Sequence, residues 1–522
     1  MTRDSTGGGW AYLAVVLAGV FPFASDMFRN FQLFTPDQLA WAFAAVWVGT
    51  SVVFLLAWAS IYLIKTIGLR HRARVGSRLP NGIYAMAVAV VLAVFLYDSN
   101  MTELRQSFGL SRWCAAGVCA LLFAVYWALA ARLGTKRTCA LLAGLLVFRF
   151  AQTGLVVSHA SGDGDELVSS EERGVYQSVK LDRTPNIYLI CLESYHGFDA
   201  IEELYGFDNR EFRNFLEQQG FSIAEETLAN YWYTMSSLQS FLQMGHHYEA
   251  GKFGNHDSLY ARGFISGSAT YFNPVLNILK QNGYSIVYLL PSDYYYRPGA
   301  GLVDHSLLEA SWPFAPLKVS LPRFIGREPD TPVENFEQKV SETISAWPVE
   351  QPTFFFTKLG AEHSAHRYDY KTDRSEFVLH YIQAVRQANP TIEALCQQII
   401  RKDPQGLIIL TGDHGAQSYK TYRHGYYETL REEQIPSARL VRDLHEVLLA
   451  IRWGEGVEAS RYPFHSLVNV IRFVLSRLGG GDALLKTAAA DSSYLSERGI
   501  LYQTSQDGQP LKAWRPVSRD ER

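Results

Sequence analysis

Four short apolar runs in the second half of this chain lead to polar residues, and that pattern restricts the fold more than anything else in the sequence. Asn186-Ile-Tyr-Leu-Ile-Cys-Leu192 ends at Glu193, and Asn230-Tyr-Trp-Tyr233 ends at Thr234. Thr353-Phe-Phe-Phe356 leads to His363, and Leu407-Ile-Ile-Leu-Thr-Gly412 ends at the pair Asp413-His414. Runs rich in Ile, Leu, Tyr and Phe and this short read as strands buried on both faces. In open α/β sheets ligands sit beyond the carboxyl ends of the strands. Three strand-like runs therefore bring a carboxylate, an imidazole and an Asp-His pair to one edge of one sheet. That set suits a hard divalent metal with a nucleophile beside it.

Between these runs, helical and strand-like stretches alternate. Strand 186–192 precedes a helix near 208–219, and helix 273–281 precedes strand 285–290. Strand 353–359 precedes a long helix at 376–401 and strand 406–411, and strand 446–452 precedes an amphipathic helix at 464–478. This alternation predicts an α/β domain with a mostly parallel central sheet.

With 522 residues the chain exceeds one ordinary domain, and its two halves differ. Residues 10–158 are dominated by Ala, Leu, Val, Phe and Trp. Five segments there, about 10–25, 39–64, 82–97, 113–131 and 138–158, are long and apolar enough to cross a bilayer. The first lacks a small-residue cleavage site and reads as a retained span. The loops Lys65–Arg78 and Arg132–Arg137 are basic, which places them in the cytoplasm. Five spans starting inside then put everything after residue 158 outside. Arg149 in the fifth span is read as snorkelling or pairing with a neighbouring helix. The expected organisation is a transmembrane domain at 1–158, a polar Gly/Ser-rich linker at 159–184, a catalytic domain at 185–490 and a polar tail at 491–522.

A net charge of -3 and the absence of a long Lys/Arg block exclude nucleic acid as a partner. The five cysteines, at 114, 119, 139, 191 and 396, have no spacing suited to a zinc ribbon or a disulfide framework.

Residue by residue, the reading is uneven. Glu193 taken alone is as easily a solvated strand end as a ligand. Asp413-His414, flanked by Gly412 and Gly415, offers one oxygen and one imidazole donor with room for a metal. Thr234 stands at a helix start, where an N-cap is the commonest role. A helix N-terminus also suits a phosphoryl group on the hydroxyl, and a metal would make that hydroxyl a nucleophile. His363, His366 and His424 can grip a phosphate or protonate a leaving alkoxide. His246 and His247 read as surface residues.

The pattern strand-Leu-Glu-Ser, helix-start Thr, strand-end His and Gly-Asp-His-Gly, after five spans, resembles the alkaline phosphatase/sulfatase superfamily. Within it the chain looks like membrane-anchored lipoteichoic acid synthases and phosphoethanolamine or phosphoglycerol transferases, over about residues 185–478. The resemblance implies a sulfatase-like α/β domain and one Zn²⁺ or Mn²⁺ held by Glu193, Thr234, Asp413 and His414. It makes Thr234 the nucleophile that carries a phospho-adduct, and His363, His366 and His424 substrate-binding residues. The implied partners are a phospholipid donor, an envelope glycan or glycolipid acceptor and the membrane. The implied place is the bacterial inner membrane, multi-pass, with the catalytic domain periplasmic. Transferases of this group usually have glycine before the nucleophile, where this chain has Tyr233, so Ser236 and Ser237 stand as alternatives. No Cys-x-Pro-x-Arg motif and no paired aspartates are present, which argues for a one-metal transferase. A sulfatase-like hydrolase and a catalytically silent scaffold are the competing readings.

Overall fold

The structure, a computed structural model, describes residues 10–17, 36–70, 170–246, 272–291, 301–308, 333–360, 374–418, 438–497, 500–504 and 510–514, with isolated residues between them. The chain divides into two compact units. One holds Met1–Gly164 and Ser311–Pro329, and the other holds Asp165–Ala310 and Asp330–Arg522.

In the first unit the main described element is the helix Pro36–Arg70. Its window Ala40–Leu63 has a mean hydropathy of 2.0, and 24 residues are enough to cross a hydrocarbon core. Trp41, Leu55, Leu56 and Tyr62 on this helix are each more than half exposed in the protein itself, as lipid-facing side chains would be. Residues 10–17 are also helical. Among the described residues this is the one helix long and apolar enough to span a membrane. Of the other expected spans, 10–25 is helical over residues 10–17, and those at 82–97, 113–131 and 138–158 lie largely outside the described residues.

The second unit is built on a seven-stranded sheet in the order β2-β7-β6-β1-β5-β3-β4. Its strands are β1 (Ile187–Glu193), β2 (Phe221–Ala224), β3 (Ser285–Leu289), β4 (His305–Ser306), β5 (Thr353–Gly360), β6 (Leu407–Gly412) and β7 (Leu449–Arg452). β1 lies at the centre, parallel to β5 on one side and to β6 on the other. β7 runs antiparallel to both β6 and β2. The sheet is thus mixed and mostly parallel. The expected strand at 446–452 is present only from Leu449, and its reversed direction could not be read from its composition.

Alternate residues of the central strands feed two cores, one on each face. Ile187, Leu189 and Cys191 join one core, and Tyr188, Ile190 and Leu192 join the other. A strand buried on both faces must be apolar at every position, which explains the unbroken runs in the sequence. Each fully buried Leu, Ile or Phe contributes about 1.5–3 kcal/mol. The expected helix at 208–219 is present as Arg210–Gln218, and a further helix, Phe198–Tyr205, precedes it and ends at Gly206 with φ +68. Past residue 490, where the sequence reads only as polar, the chain forms a three-stranded antiparallel sheet, β8 (Tyr494–Glu497), β9 (Ile500–Thr504) and β10 (Pro510–Trp514). Its first residue is tied in, since Tyr494 N–H donates to Asn230 O at 2.9 Å.

Candidate metal centre

β1 and β6 are hydrogen-bonded neighbours running in the same direction, so their carboxyl ends meet at one sheet edge. There Glu193, Asp413 and His414 each offer one donor atom, all within 4.8 Å of one another. All three are nearly buried, with Asp413 1% exposed and His414 3% exposed. Backbone contacts set this proximity. Asp413 N–H donates to Leu192 O, and Asp413 Oδ1 accepts from Ser194 N–H at 2.9 Å and from His414 N–H at 3.0 Å. Ser194 holds φ +53, an unusual conformation for a residue with a side chain, at the point where the chain leaves β1.

The glycines around the Asp-His pair make room for backbone rather than for a metal. A Cβ on Gly412 would stand 2.3 Å from Tyr195 O, and one on Gly415 would stand 2.2 Å from Asp443 O. The loop is pinned there by Gly415 N–H to Leu444 O at 2.8 Å and Gln417 N–H to Asp443 O at 3.1 Å. His196 braces it from below. Ala416 N–H donates to His196 Nε2 at 2.9 Å, and His196 Nδ1–H donates to Glu446 O. Burial holds the His196 imidazole far below its ordinary range, at about 3, so it is neutral and fit to accept.

Thr234 is the first residue of the helix Thr234–Gln243, whose residues are all buried. The N-cap position is Tyr233, and no side chain caps the helix. The Thr234 hydroxyl instead lies 2.9 Å from His414 Nε2. His414 Nδ1–H donates to Gly415 O at 2.8 Å, which leaves the Nε2 lone pair facing the hydroxyl. The simple N-cap reading of Thr234 is therefore corrected. Tyr233 has φ -130 and ψ 131, extended backbone that any residue adopts, so no glycine is required before Thr234. Gln417, at φ +64, ties the two loops together by donating to Trp232 O at 2.6 Å.

One charged residue that touches this cluster carries no motif in the sequence. Lys358 on β5 is 1% exposed, and its Nζ lies 2.6 Å from Glu193 Oε2 and 2.6 Å from Asp413 Oδ2. Its signal was a lone cation inside an otherwise apolar strand, since Lys is almost never buried unless paired. Ser236 and Ser237 are buried in the same helix, and Ser237 lines a small cavity with Cys191, Thr411 and Asp413. His363, His366 and His424 lie outside the described residues. His246 is a core residue rather than a surface one: it is 4% exposed, packs against Tyr231 and Tyr494, and donates from Nε2 to Ala490 O at 2.9 Å. His247 lies outside the described residues.

The donor set fits a metal. Two carboxylates, one imidazole with its lone pair turned inward and a hydroxyl at one buried point are a donor set suited to a metal ion.

A family model described as Sulfatase matches residues 185–479, more than half of the chain. The chain belongs to the sulfatase family. The family match begins and ends where the resemblance in the sequence did, and it spans every strand of the seven-stranded sheet. No curated protein matches the chain. Among solved structures, the sulfatase-family chain is similar to the C-terminal periplasmic domain of EcEptC from Escherichia coli in complex with Zn. That match has 15% identity and a TM-score of 0.41, and covers 62% of this chain and 92% of that one. The lipoteichoic acid synthase LtaP from Listeria monocytogenes is 13% identical with a TM-score of 0.38, over 67% of this chain and 93% of its own. The soluble domain of lipooligosaccharide phosphoethanolamine transferase A from Neisseria meningitidis is 11% identical with a TM-score of 0.36, over 58% and 91%.

Proposed function

We propose that this sulfatase-family protein is a membrane-anchored phosphotransferase. It takes a phosphoethanolamine or phosphoglycerol group from a phospholipid onto Thr234 and passes it to a hydroxyl of an envelope glycan or glycolipid. The observation that carries the reading is the Thr234 hydroxyl, 2.9 Å from His414 Nε2 at a helix start and beside Glu193 and Asp413. A bound divalent ion, Zn²⁺ or Mn²⁺, would lower the pKa of that hydroxyl and offset charge on the phosphoryl oxygens.

The chain's own residues supply the rest. The start of the Thr234–Gln243 helix presents backbone N–H groups and the positive end of its dipole, which favours a phosphoryl group on Thr234. The 2.9 Å approach of His414 Nε2 places the Thr234 oxygen beside Glu193 and Asp413, where these residues would hold the ion and the oxygen together for in-line attack. The new O–P bond forms as the bond to the lipid alkoxide breaks, and a proton returned to that alkoxide leaves diacylglycerol. His363, His366 and His424 are proposed to grip the phosphate or deliver that proton. The apolar window Ala40–Leu63 supports a membrane anchor, and five spans with an extracytoplasmic, periplasmic site agree with the charge of the loops.

Peptide mass spectrometry on the protein extracted from membranes tests this. A phosphoethanolamine or phosphoglycerol mass on the Thr234 peptide is the expected result. Thr234→Ala should lose the adduct and lower transfer by roughly a thousandfold or more, while costing stability only about 1 kcal/mol for one hydrogen bond. Full transfer by that variant would overturn the mechanism. Release of free headgroup phosphate without glycan modification would assign the site to hydrolysis.

A further inference from the structure

The proposed reaction uses Glu193, Thr234, Asp413 and His414, yet a fifth polar side chain, that of Lys358, touches two of them. Lys358 stands on the same face of β5 as Phe354 and Phe356, in register with Cys191 of β1. That face is covered by the Thr234–Gln243 helix through Met235, Leu238, Phe241 and Leu242, so the ammonium is enclosed. Its Nζ contacts Glu193 Oε2 and Asp413 Oδ2 at 2.6 Å each. An apolar residue would fill that strand position without the desolvation penalty of an ion, so packing does not account for Lys358.

Charge does account for it. Glu193 and Asp413 bring two carboxylates to the centre, and the Lys358 ammonium touches both. One divalent ion would bring the centre to zero, and Lys358 would leave one positive charge over. A buried centre with an unbalanced charge is costly. An arriving phosphoryl oxygen would offset the surplus. The oxygens of Asp413 are also already engaged, Oδ1 by two backbone N–H groups and Oδ2 by Lys358. An incoming ion must share them while being repelled by the ammonium.

The geometry points to Lys358 as a resident cation of the metal centre. It is a charge-setting residue that limits the site to one divalent ion, lowers its affinity for that ion, and reserves one positive charge for the nucleophile and phosphate. This rests on the metal centre proposed above.

The test uses the full-length protein in detergent, stripped of metal with a chelator and titrated with Zn²⁺ by calorimetry, with bound metal counted by mass spectrometry. Wild type should bind one zinc per chain. Lys358→Met and Lys358→Gln should each bind zinc at least about tenfold more tightly. Both should melt lower than wild type without metal and gain more from it. Lys358→Arg, which keeps the charge, should stay near wild-type affinity. Unchanged or weaker zinc binding by both neutral variants overturns the inference and makes Lys358 a simple brace. Failure of both to fold even in saturating zinc does the same. A wild-type protein that binds neither zinc nor manganese removes the metal centre itself, and the proposed function with it. Metal bound by wild type with unaltered affinity in the variants removes only the role of Lys358.

Discussion

Asp413 is the residue on which most of the centre depends, because both of its oxygens are committed. It accepts from Ser194 and His414 through Oδ1 and from Lys358 through Oδ2. Asp413→Ala would orphan two buried backbone donors and take one carboxylate partner from the buried Lys358 ammonium. Breaking a buried ion pair on one side typically costs about 3–5 kcal/mol. The expected outcome is a loss of that size in denaturant unfolding, together with loss of bound metal. His414→Ala is milder in stability and equally damaging to metal content, since it removes the Nε2 donor and the partner of Thr234. Glu193, Asp413 and His414 were legible as single residues because each ends an apolar run. Lys358 was hidden for the opposite reason: it sits inside such a run, where sequence pattern reads only burial.

Among the elements, the loop that leaves β6 tolerates little change. It runs against the backbones of Tyr195 and Asp443, which is why Gly412 and Gly415 stand where they do. Gly415→Ala would drive a methyl group against Asp443 O and the His196 ring. Overpacking of this kind costs about 1–3 kcal/mol and shifts the neighbouring backbone. The variant should keep its helix and strand content by circular dichroism yet bind zinc more weakly, because His414 precedes the displaced residue. Unchanged zinc affinity would show that the loop yields without moving the site. The helix Thr234–Gln243 behaves differently. Its Tyr233 has extended backbone and is 37% exposed, so Tyr233→Gly should leave metal binding near wild type.

For the molecule as a whole, three buried histidines set a response to acid. Burial holds His196 at about 3, and His246 and His445 at about 4, all below the ordinary value of 6.5. Protons therefore bind the unfolded chain first as the pH falls. The stability these groups contribute is complete above about pH 6.5, declines as pH drops from 6.5 toward 4, and levels off below about 3. Together the three shifts correspond to roughly 10 kcal/mol on an order-of-magnitude basis. Melting temperature should fall steadily between pH 6.5 and 4, and His246→Gln should make that fall shallower. An equally steep fall in the variant would assign acid sensitivity elsewhere.

The sequence alone carried the layout of the second unit, because strands buried on both faces must be apolar throughout. β1, β3, β5 and β6 begin and end within a residue or so of the expected runs. It also carried the family, since a carboxylate, a threonine and a Gly-Asp-His-Gly at those places are local signals. It could not carry the direction of β7, the sheet past residue 490, or the core positions of His196 and His246. Those depend on which surfaces meet, and side-chain pattern says only that a surface is covered. Nor could it bring Thr234, Lys358 and His414 to one point. They are separated by more than fifty residues at each step; parallel pairing of β1 with β5 and β6 closes the distance for Lys358 and His414, and packing of the Thr234–Gln243 helix on the sheet brings in Thr234.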